Sequence, residues 1–506
     1  MIFLPLAVTF AVITVSFYLW QWTFWRRRGV PGPRSVPFFG NKLSLVLKNK
    51  PSPIVFRDWT KVYGKTYGVS DGVQQTLVTS DPVIVQEVFQ KQFDNFYERK
   101  LFIPNDPRDP RVHMFNANGN RWKRLRTISS PTFTSGNLRR MHATIENSAL
   151  EVLAHIEKNS SKSIDFEFYF QHFTMDVIQR IALGQTESQM FTNPLVKLLS
   201  DRMNFITMTI SVLGSCVPEY LAQFVTLGVF KKFTNNKHPI LMVVDDCEAA
   251  VFARIKQREK DLAAGIEPGE PVDFIDLFLD ARSDELFDEE EFSKENIKVS
   301  RQMTTYEIIG QCLLFLVAGF DTTSIALSFT ANLLATHPEV QKKVQEEIAR
   351  ECPNPSIDFD SLTRLKYLEA VVKETLRLNP LAAVVNSRRC VNDTVVGGVP
   401  VEKGTYVQID TLTLHYDKEL WGENAEEFVP ERWLEGDVNK NNWIPFGHGP
   451  RQCIGMRLAI LEEKLMLAHL LRKFTIVPGP ETKKLEVHGP FVLRPVSTVF
   501  NVLERV

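Results

Sequence analysis

The chain has 506 residues, 44% of them hydrophobic, and a formal net charge of −1 at pH 7. That length permits an extensive core, and because no Gly/Ser linker or low-complexity tract cuts the sequence beyond residue 50, one large folded unit is expected. Neutrality gives no pointer to nucleic acid, no fixed-period repeat indicates a solenoid, and the six cysteines show neither a C-x-x-C pair nor zinc spacing, which suits reduced thiols.

Met1 to Trp25 carries no charged side chain and is followed at once by Arg26-Arg27-Arg28. A bilayer takes about 20 apolar residues to cross. A cleaved secretory signal would place positive charge before the apolar run and small residues after it. Here the charge follows, and the run ends on Trp20-Gln21-Trp22-Thr23-Phe24-Trp25, the composition of an interfacial aromatic belt. Residues 1–25 are therefore read as a membrane signal-anchor, with the N-terminus in the lumen and the mass of the chain in the cytosol. Residues 26–44 read as a basic, proline-rich hinge, because Pro31, Pro33 and Pro37 fix φ and block helix continuation.

A short β-like patch is expected near Thr66–Thr79. Trp122-Lys123-Arg124-Leu125-Arg126 places Trp122 and Arg126 one helical turn apart, and helical patterns dominate from about residue 138. Residues 206–230 are unusually apolar and interrupted by Gly214, Pro218 and Gly228. The acid-rich stretch from Ser283 to Glu295 reads as a solvated loop. From about Tyr306 the chain runs apolar to Ala335, and His337-Pro338 ends it. Some 30 helical residues span roughly 45 Å, enough to cross a domain. Gln311 and the central Asp321 oppose a second membrane span, since an acid at mid-bilayer costs about 2.5–3.5 kcal/mol. Further on, Glu374 and Arg377 lie at i and i+3 of one helix, and Phe428-Val429-Pro430-Glu431-Arg432-Trp433 follows.

Near the C-terminus stands Phe446-Gly447-His448-Gly449-Pro450-Arg451-Gln452-Cys453-Ile454-Gly455, opening onto an apolar helical run from Met456 to Phe474. Each constrained position has its own task if Cys453 ligates haem iron. A helix N-terminus favours the negative sulfur. Gly449 and Gly455 let backbone approach sulfur and porphyrin. Phe446 shields the sulfur from water, and Arg451 pairs with a propionate.

The loop resembles the haem-binding loop of the cytochrome P-450 haem-thiolate monooxygenases, and the resemblance covers essentially the whole chain. It implies a mainly α fold, the helical prism with a small β subdomain, as a catalytic domain over residues 45–506 behind the N-terminal membrane anchor helix. Ala318-Gly319-Phe320-Asp321-Thr322-Thr323 resembles the motif A-G-x-[DE]-T-T of the central helix. There Ala318 and Gly319 would leave room for oxygen, and Asp321 and Thr322 would form the catalytic acid–alcohol pair that relays protons. Glu374, Arg377 and Arg432 would form a buried structural triad, with Trp433 in place of the family's usual phenylalanine.

The same resemblance makes Trp122, Arg126 and Arg388 propionate ligands, leaving Arg389 as an alternative to Arg388 and Arg99 as a further candidate. The cofactor implied is haem b with the Cys453 thiolate as axial ligand. Electrons would come from NADPH through a reductase, with cytochrome b5 as a further partner. Residues 206–230 would either roof the substrate cavity and dip into the membrane or be ordinary core. Lys123, Arg124, Arg139 and Arg140 would either dock an acidic electron donor or form a solvated helix face.

Trp122 to Arg126 followed by Ser130-Pro131-Thr132-Phe133-Thr134-Ser135-Gly136 is most similar to the microsomal clan that oxidises xenobiotics and steroids, placing the chain in the endoplasmic reticulum membrane. The implied reaction inserts one atom of O2 into a lipophilic substrate (sterol, fatty acid or xenobiotic) and reduces the other to water. Pocket residues are expected in the 101–118 loop, residues 206–230, Phe315, Ala318, Ala382 to Val384, and Phe491. Two other classes stay open: a haem-thiolate isomerase or dehydratase, which needs no external electrons, and a non-enzymatic membrane haem-binding sensor.

Overall fold

The computed structural model describes residues 3–47, 50–100, 109–159, 163–200, 214–217, 221, 239–267, 269–283, 301–436, 438–489 and 492–505. Helices dominate, as the periodicity predicts. The longer ones are α1 (Phe3–Trp22), α2 (Ser52–Tyr63), α3 (Gly119–Ser129), α4 (Ser135–Lys158), α5 (Phe166–Leu183), α6 (Pro239–Ala263), α7 (Thr305–Thr336), α8 (Pro338–Glu351), α9 (Lys366–Leu378) and α10 (Met456–Lys473). The strands are short: β1 (Thr66–Asp71), β2 (Gln74–Thr79), β3 (Ile164–Asp165), β4 (Ser387–Arg389), β5 (Thr394–Val396), β6 (Val399–Val401), β7 (Tyr406–Ile409), β8 (Phe474–Val477), β9 (Val487–His488), β10 (Arg494–Pro495) and β11 (Val499–Glu504). The β-like patch in the sequence is the β1–β2 hairpin of a four-stranded sheet ordered β1-β2-β7-β4, in which β2 and β7 run parallel. A three-stranded sheet, β3-β11-β8, joins the chain's C-terminal end to the start of α5.

α7 is the axis of the core and packs against α5, α6, α9, α10 and β8. Its start is set by a capping box: Thr304 Oγ1 accepts from the Glu307 N–H at 3.2 Å, and Glu307 accepts from the Thr304 N–H at 3.1 Å. Its apolar composition would suit a bilayer, yet it is largely buried in protein, as the central acid predicts. The capping glutamate also accepts two bonds from Arg124 of α3, at 2.8 and 2.9 Å. Burial pushes the Glu307 carboxyl up, but the bonds and charge of Arg124, the Thr304 N–H and the Arg121 charge outweigh it and hold the group below its ordinary range. One residue thus starts the helix and fixes α3 beside it. A further tie crosses from α5, where Thr174 Oγ1 donates to the Phe320 carbonyl at 2.6 Å.

The triad expected around Glu374 is present, with Glu374 and Arg377 fully buried and Arg432 partly so. Arg377 bonds both carboxylate oxygens at 2.8 and 2.9 Å, and Arg432 Nε donates at 2.9 Å. Arg377 and Arg432 spend their other donors on the carbonyls of His415, Ala425, Trp421 and Asn424. The indole of Trp433 adds what phenylalanine has no atom to supply: Nε1 donates to Glu374 Oε2 at 2.9 Å. Trp433→Phe should therefore lower the unfolding free energy by about 1.5–3 kcal/mol, the worth of a hydrogen bond to a charged group. Arg432→Ala should cost more, about 3–5 kcal/mol, because it leaves a buried charge short of its partner. Urea unfolding of the purified variants measures both.

At the N-terminal end, α1 is apolar and exposed: Leu4, Phe10, Ile13 and Trp20 all face outward. The protein proper begins sooner than the composition suggests. Phe24 and Trp25, assigned with the span in sequence, are buried against Leu77, Val396 and Val407. The Trp25 indole N–H donates to the Val69 carbonyl at 3.1 Å. Deletion through Trp22 should leave the thermal midpoint of the remaining chain nearly unchanged. Deletion through Trp25 should destabilise it by about 3 kcal/mol or more, since two core aromatics are lost. Parallel melting curves of the two truncations decide this.

Candidate active site

The loop before α10 is closed by the Cys453 N–H, which donates to the Phe446 carbonyl at 2.8 Å. Its turn requires glycine at Gly449, whose φ is +71° and whose added Cβ would collide with the Phe89 carbonyl. That close neighbour is protein backbone, not the cysteine. A Cβ at Gly455 would stand 4.0 Å from the Cys453 sulfur and 3.8 Å from Phe133, ordinary contact distances. Phe446 packs edge-on to Trp443 at 5.8 Å.

Cys453 sits at the N-terminal end of α10, where the N–H groups of Gly455 and Met456 reach its sulfur. Burial pushes the thiol up, while the Gly455 N–H, the Arg126 and Arg99 charges and the Met456 N–H draw it back. The residue is exposed by surface area although protein surrounds it on all sides. Both hold if the sulfur faces an interior space and not bulk solvent. All six cysteines are free.

Beside the sulfur lies a concentration of buried positive charge. Arg388 is 1% exposed and Arg451 2%. Arg388 lies over the Phe89 ring at 4.1 Å, donates to the Ser387 carbonyl at 2.8 Å, and has no acceptor for its Nε. Arg451 lies over Trp122 at 4.5 Å and donates to Ala117 O and Asn118 Oδ1, leaving Nε and Nη1 without acceptors. Arg99 donates to the Arg451 carbonyl at 2.6 Å, and Arg126 to the Gln452 carbonyl at 2.8 Å.

Burial drives all four guanidinium groups downward, Arg99 to about 10, and mutual repulsion adds to the effect at Arg99, Arg388 and Arg451. His448, pulled down by burial and by Arg388, adds an Nε2 without a partner. The nearby carboxylate, Glu98, pairs with Arg389 at 3.1 Å. Successive residues of a strand face opposite ways, so β4 turns Arg388 inward and Arg389 to Glu98. That alternation was readable in the sequence; which face was the interior was not. Arg99, a further candidate in the sequence, and His448, at an unconstrained position of the loop and not singled out there, stand in the same cluster.

In the middle of α7, Ala318 is exposed, between half-buried Val317 and Gly319 and buried Leu316 and Phe320. Gly319 is half-buried, and a Cβ there would stand 3.0 Å from Ile178 of α5, so its small size serves the packing of the two helices. Asp321 and Thr322 are not bonded to each other. Thr322 Oγ1 donates back to the Ala318 carbonyl at 2.7 Å, while Asp321 is paired with Arg494. Phe315, expected at a pocket wall, is buried among Phe133, Phe274 and Phe278, with ring centres 5.4–6.0 Å away. Ala382 is partly open, while Ala383 and Val384 are buried. Phe491, residues 101–108, most of 206–230, and Asp284 to Glu295 lie outside the described residues.

Of the basic cluster expected either to dock an electron donor or to form a solvated helix face, Arg124 is buried on Glu307, Lys123 is half-buried, and Arg139 and Arg140 stay exposed in pairs with Asp360 at 2.6 Å and Glu270 at 3.1 Å.

Buried guanidinium groups with unfilled donors beside a sulfur donor suit an anionic ligand that also offers a metal, and that combination is the coordination chemistry of a haem-thiolate protein. Residues 30–502 match the family model described as Cytochrome P450. The chain is 49% identical over 500 residues to cytochrome P450 CYP13A1 of Caenorhabditis elegans, covering 96% of each chain. It is 49% identical over 511 residues to cytochrome P450 CYP13A10 of the same nematode, covering 97% of each. With cytochrome P450 CYP13A2 it shares 46% over 521 residues, 99% of each. Those names assign a family and state no substrate. The chain belongs to the cytochrome P450 family and is a haem-thiolate monooxygenase.

Arg388→Met offers a test of the charge argument. In haem-free protein it should raise stability by about 1–4 kcal/mol, because an unpaired buried ion gives way to an apolar side chain. Chemical denaturation of the haem-free variant and parent measures the sign. A loss would mean that the Ser387 and Phe89 contacts outweigh the burial cost.

Proposed function

We propose that the chain hydroxylates a lipophilic substrate (a sterol, fatty acid or foreign compound), drawing electrons from an NADPH-dependent reductase, with cytochrome b5 as a further donor. In this reading residues 1–25 are a signal-anchor in the endoplasmic reticulum membrane whose last two aromatics, Phe24 and Trp25, seat in the folded protein, residues 26–44 a hinge, and residues 45–506 a cytosolic catalytic domain. The observation that carries it is the open Cys453 sulfur beside buried guanidinium groups without carboxylates.

Bound haem would supply one-electron redox chemistry and the activation of O2, with the axial thiolate favouring O–O cleavage, for which this family is itself the standard example. Cys453 Sγ is the proposed iron ligand; burial favours its thiol form, and the Gly455 and Met456 N–H groups together with the iron would favour the thiolate. Arg388, Arg451, Trp122 and Arg126 are the proposed propionate partners, with Arg99 and His448 added on their position. Arg389 is set aside because Glu98 holds it. Phe446 keeps water from the sulfur, and Gly455 leaves the loop narrow. Thr322 Oγ1 holds a proton at the edge of the interior space, and Asp321 replenishes it. Apolar lining such as Ala318 favours lipophilic substrates without choosing among them.

Cys453→Ser should abolish the red-shifted ferrous–CO absorption and turnover; a variant that keeps the band would show that another residue is the ligand. Thr322→Ala should preserve haem content and that band, lower product formation by about ten- to a hundredfold, and send more of the consumed NADPH into hydrogen peroxide. Product and peroxide assays with purified reductase read this directly. Turnover without NADPH would favour an isomerase or dehydratase.

A further inference from the structure

The carboxyl of Asp321 is held from outside its own helix. Arg494, on β10, pairs through Nη2 with Asp321 Oδ2 and through Nη1 with Glu167 of α5 at 2.8 Å. The other Asp321 oxygen, Oδ1, is buried and has no partner. Thr322 follows Asp321 on α7, about 100° further around the helix, and its hydroxyl is occupied by the Ala318 carbonyl. So the acid points to an arginine and not to its alcohol neighbour.

We propose that Arg494 is a latch on proton delivery: it holds Asp321 as a carboxylate turned away from Thr322, and Glu167 retains the arginine whenever Asp321 lets go. The inference rests on the oxygenase reading given above. A guanidinium stays charged and accepts no proton, so Arg494 gates the path and does not conduct along it. It acts through Asp321 and is a positioning residue.

The latch is anchored. Arg494 faces His488 across the β9–β10 pair, and its neighbour Leu493 donates its N–H to the Leu381 carbonyl at 2.9 Å. The described charged groups that act here are few. Arg494 draws Asp321 down. Arg494 also draws Glu167 down while Asp321 and Asp165 push it up, so the two carboxyls repel each other across one arginine, and His488 feels Arg494. Asp165 is itself bonded by Thr498 at 2.5 Å. Burial raises the Asp321 carboxyl and Arg494 pulls it partly back, leaving it above its ordinary range. Removing the arginine must therefore raise it further. Removing Glu167, which competes for the same cation, must lower it.

The test titrates the protonated-carboxyl stretch of Asp321 by difference infrared spectroscopy, assigned with Asp321→Asn, on full-length haem-loaded protein without reductase. Arg494→Gln should move the midpoint up by about one pH unit or more, Glu167→Gln should move it down, and Arg494→Lys should return it toward the parent. With reductase added, the acid limb of the product-to-peroxide ratio against pH should shift in the same directions. A merely structural role would change stability but would not shift midpoints in opposite senses. Should Arg494→Gln fail to fold, Glu167→Gln and Arg494→Lys still decide. Unmoved midpoints overturn the latch. Because the infrared titration involves no turnover, a failure of the oxygenase reading would leave it standing.

Discussion

The structure is organised around a charge imbalance. Arg388 and Arg451 are enclosed with Arg99 and Arg126 beside a thiol that burial pushes up, and the carboxylate whose charge reaches Arg451, Glu98, is committed to Arg389. An unpaired buried ion costs several kcal/mol, so such a cluster persists only in a fold stabilised elsewhere. Its value lies in the ligand it recruits. Two propionates and a metal-bound sulfur would neutralise charges that the protein has already gathered and oriented.

That stabilisation is concentrated under the cysteine loop. Glu374 is the opposite kind of ionic site: one buried carboxylate saturated by Arg377, Arg432, the Trp433 indole and the Val429 N–H. Because every oxygen is satisfied, the network is rigid, and the Trp421–Trp433–Trp443–Phe446 rings, 5.5–5.8 Å apart, carry that rigidity to the loop. On the far side, Glu307 does related work by capping α7 while gripping Arg121 and Arg124. Two satisfied carboxylates thus brace a region of unsatisfied guanidinium groups.

α7 shows how a single helix serves packing and chemistry in adjacent residues. Gly319 is small for Ile178, Phe320 is fully buried with its carbonyl taken by Thr174, Ala318 is exposed, and Thr322 turns its hydroxyl back onto the Ala318 carbonyl. The acid between them is drawn off by Arg494 from a strand more than 170 residues later in the chain. A motif read as one unit is therefore divided among three surroundings.

Some features were fixed by local sequence. The β1–β2 hairpin, the long α7 with its His337-Pro338 stop and the Met456 start of α10 follow from periodicity and capping, which are short-range physics. The candidacy of Cys453 as a metal ligand was equally local, because four constrained neighbours in ten residues leave few other uses for a thiol. What tertiary structure decided was every assignment that depends on which face is interior. It turned Arg388 in and Arg389 out, buried Trp25 that composition had given to the membrane, drew Arg124 from an apparent surface cluster onto Glu307, and tied Asp321 to Arg494. Each is a contact between segments far apart in the chain, where side-chain identity sets which bonds are available and only the packing of other elements selects the one that forms.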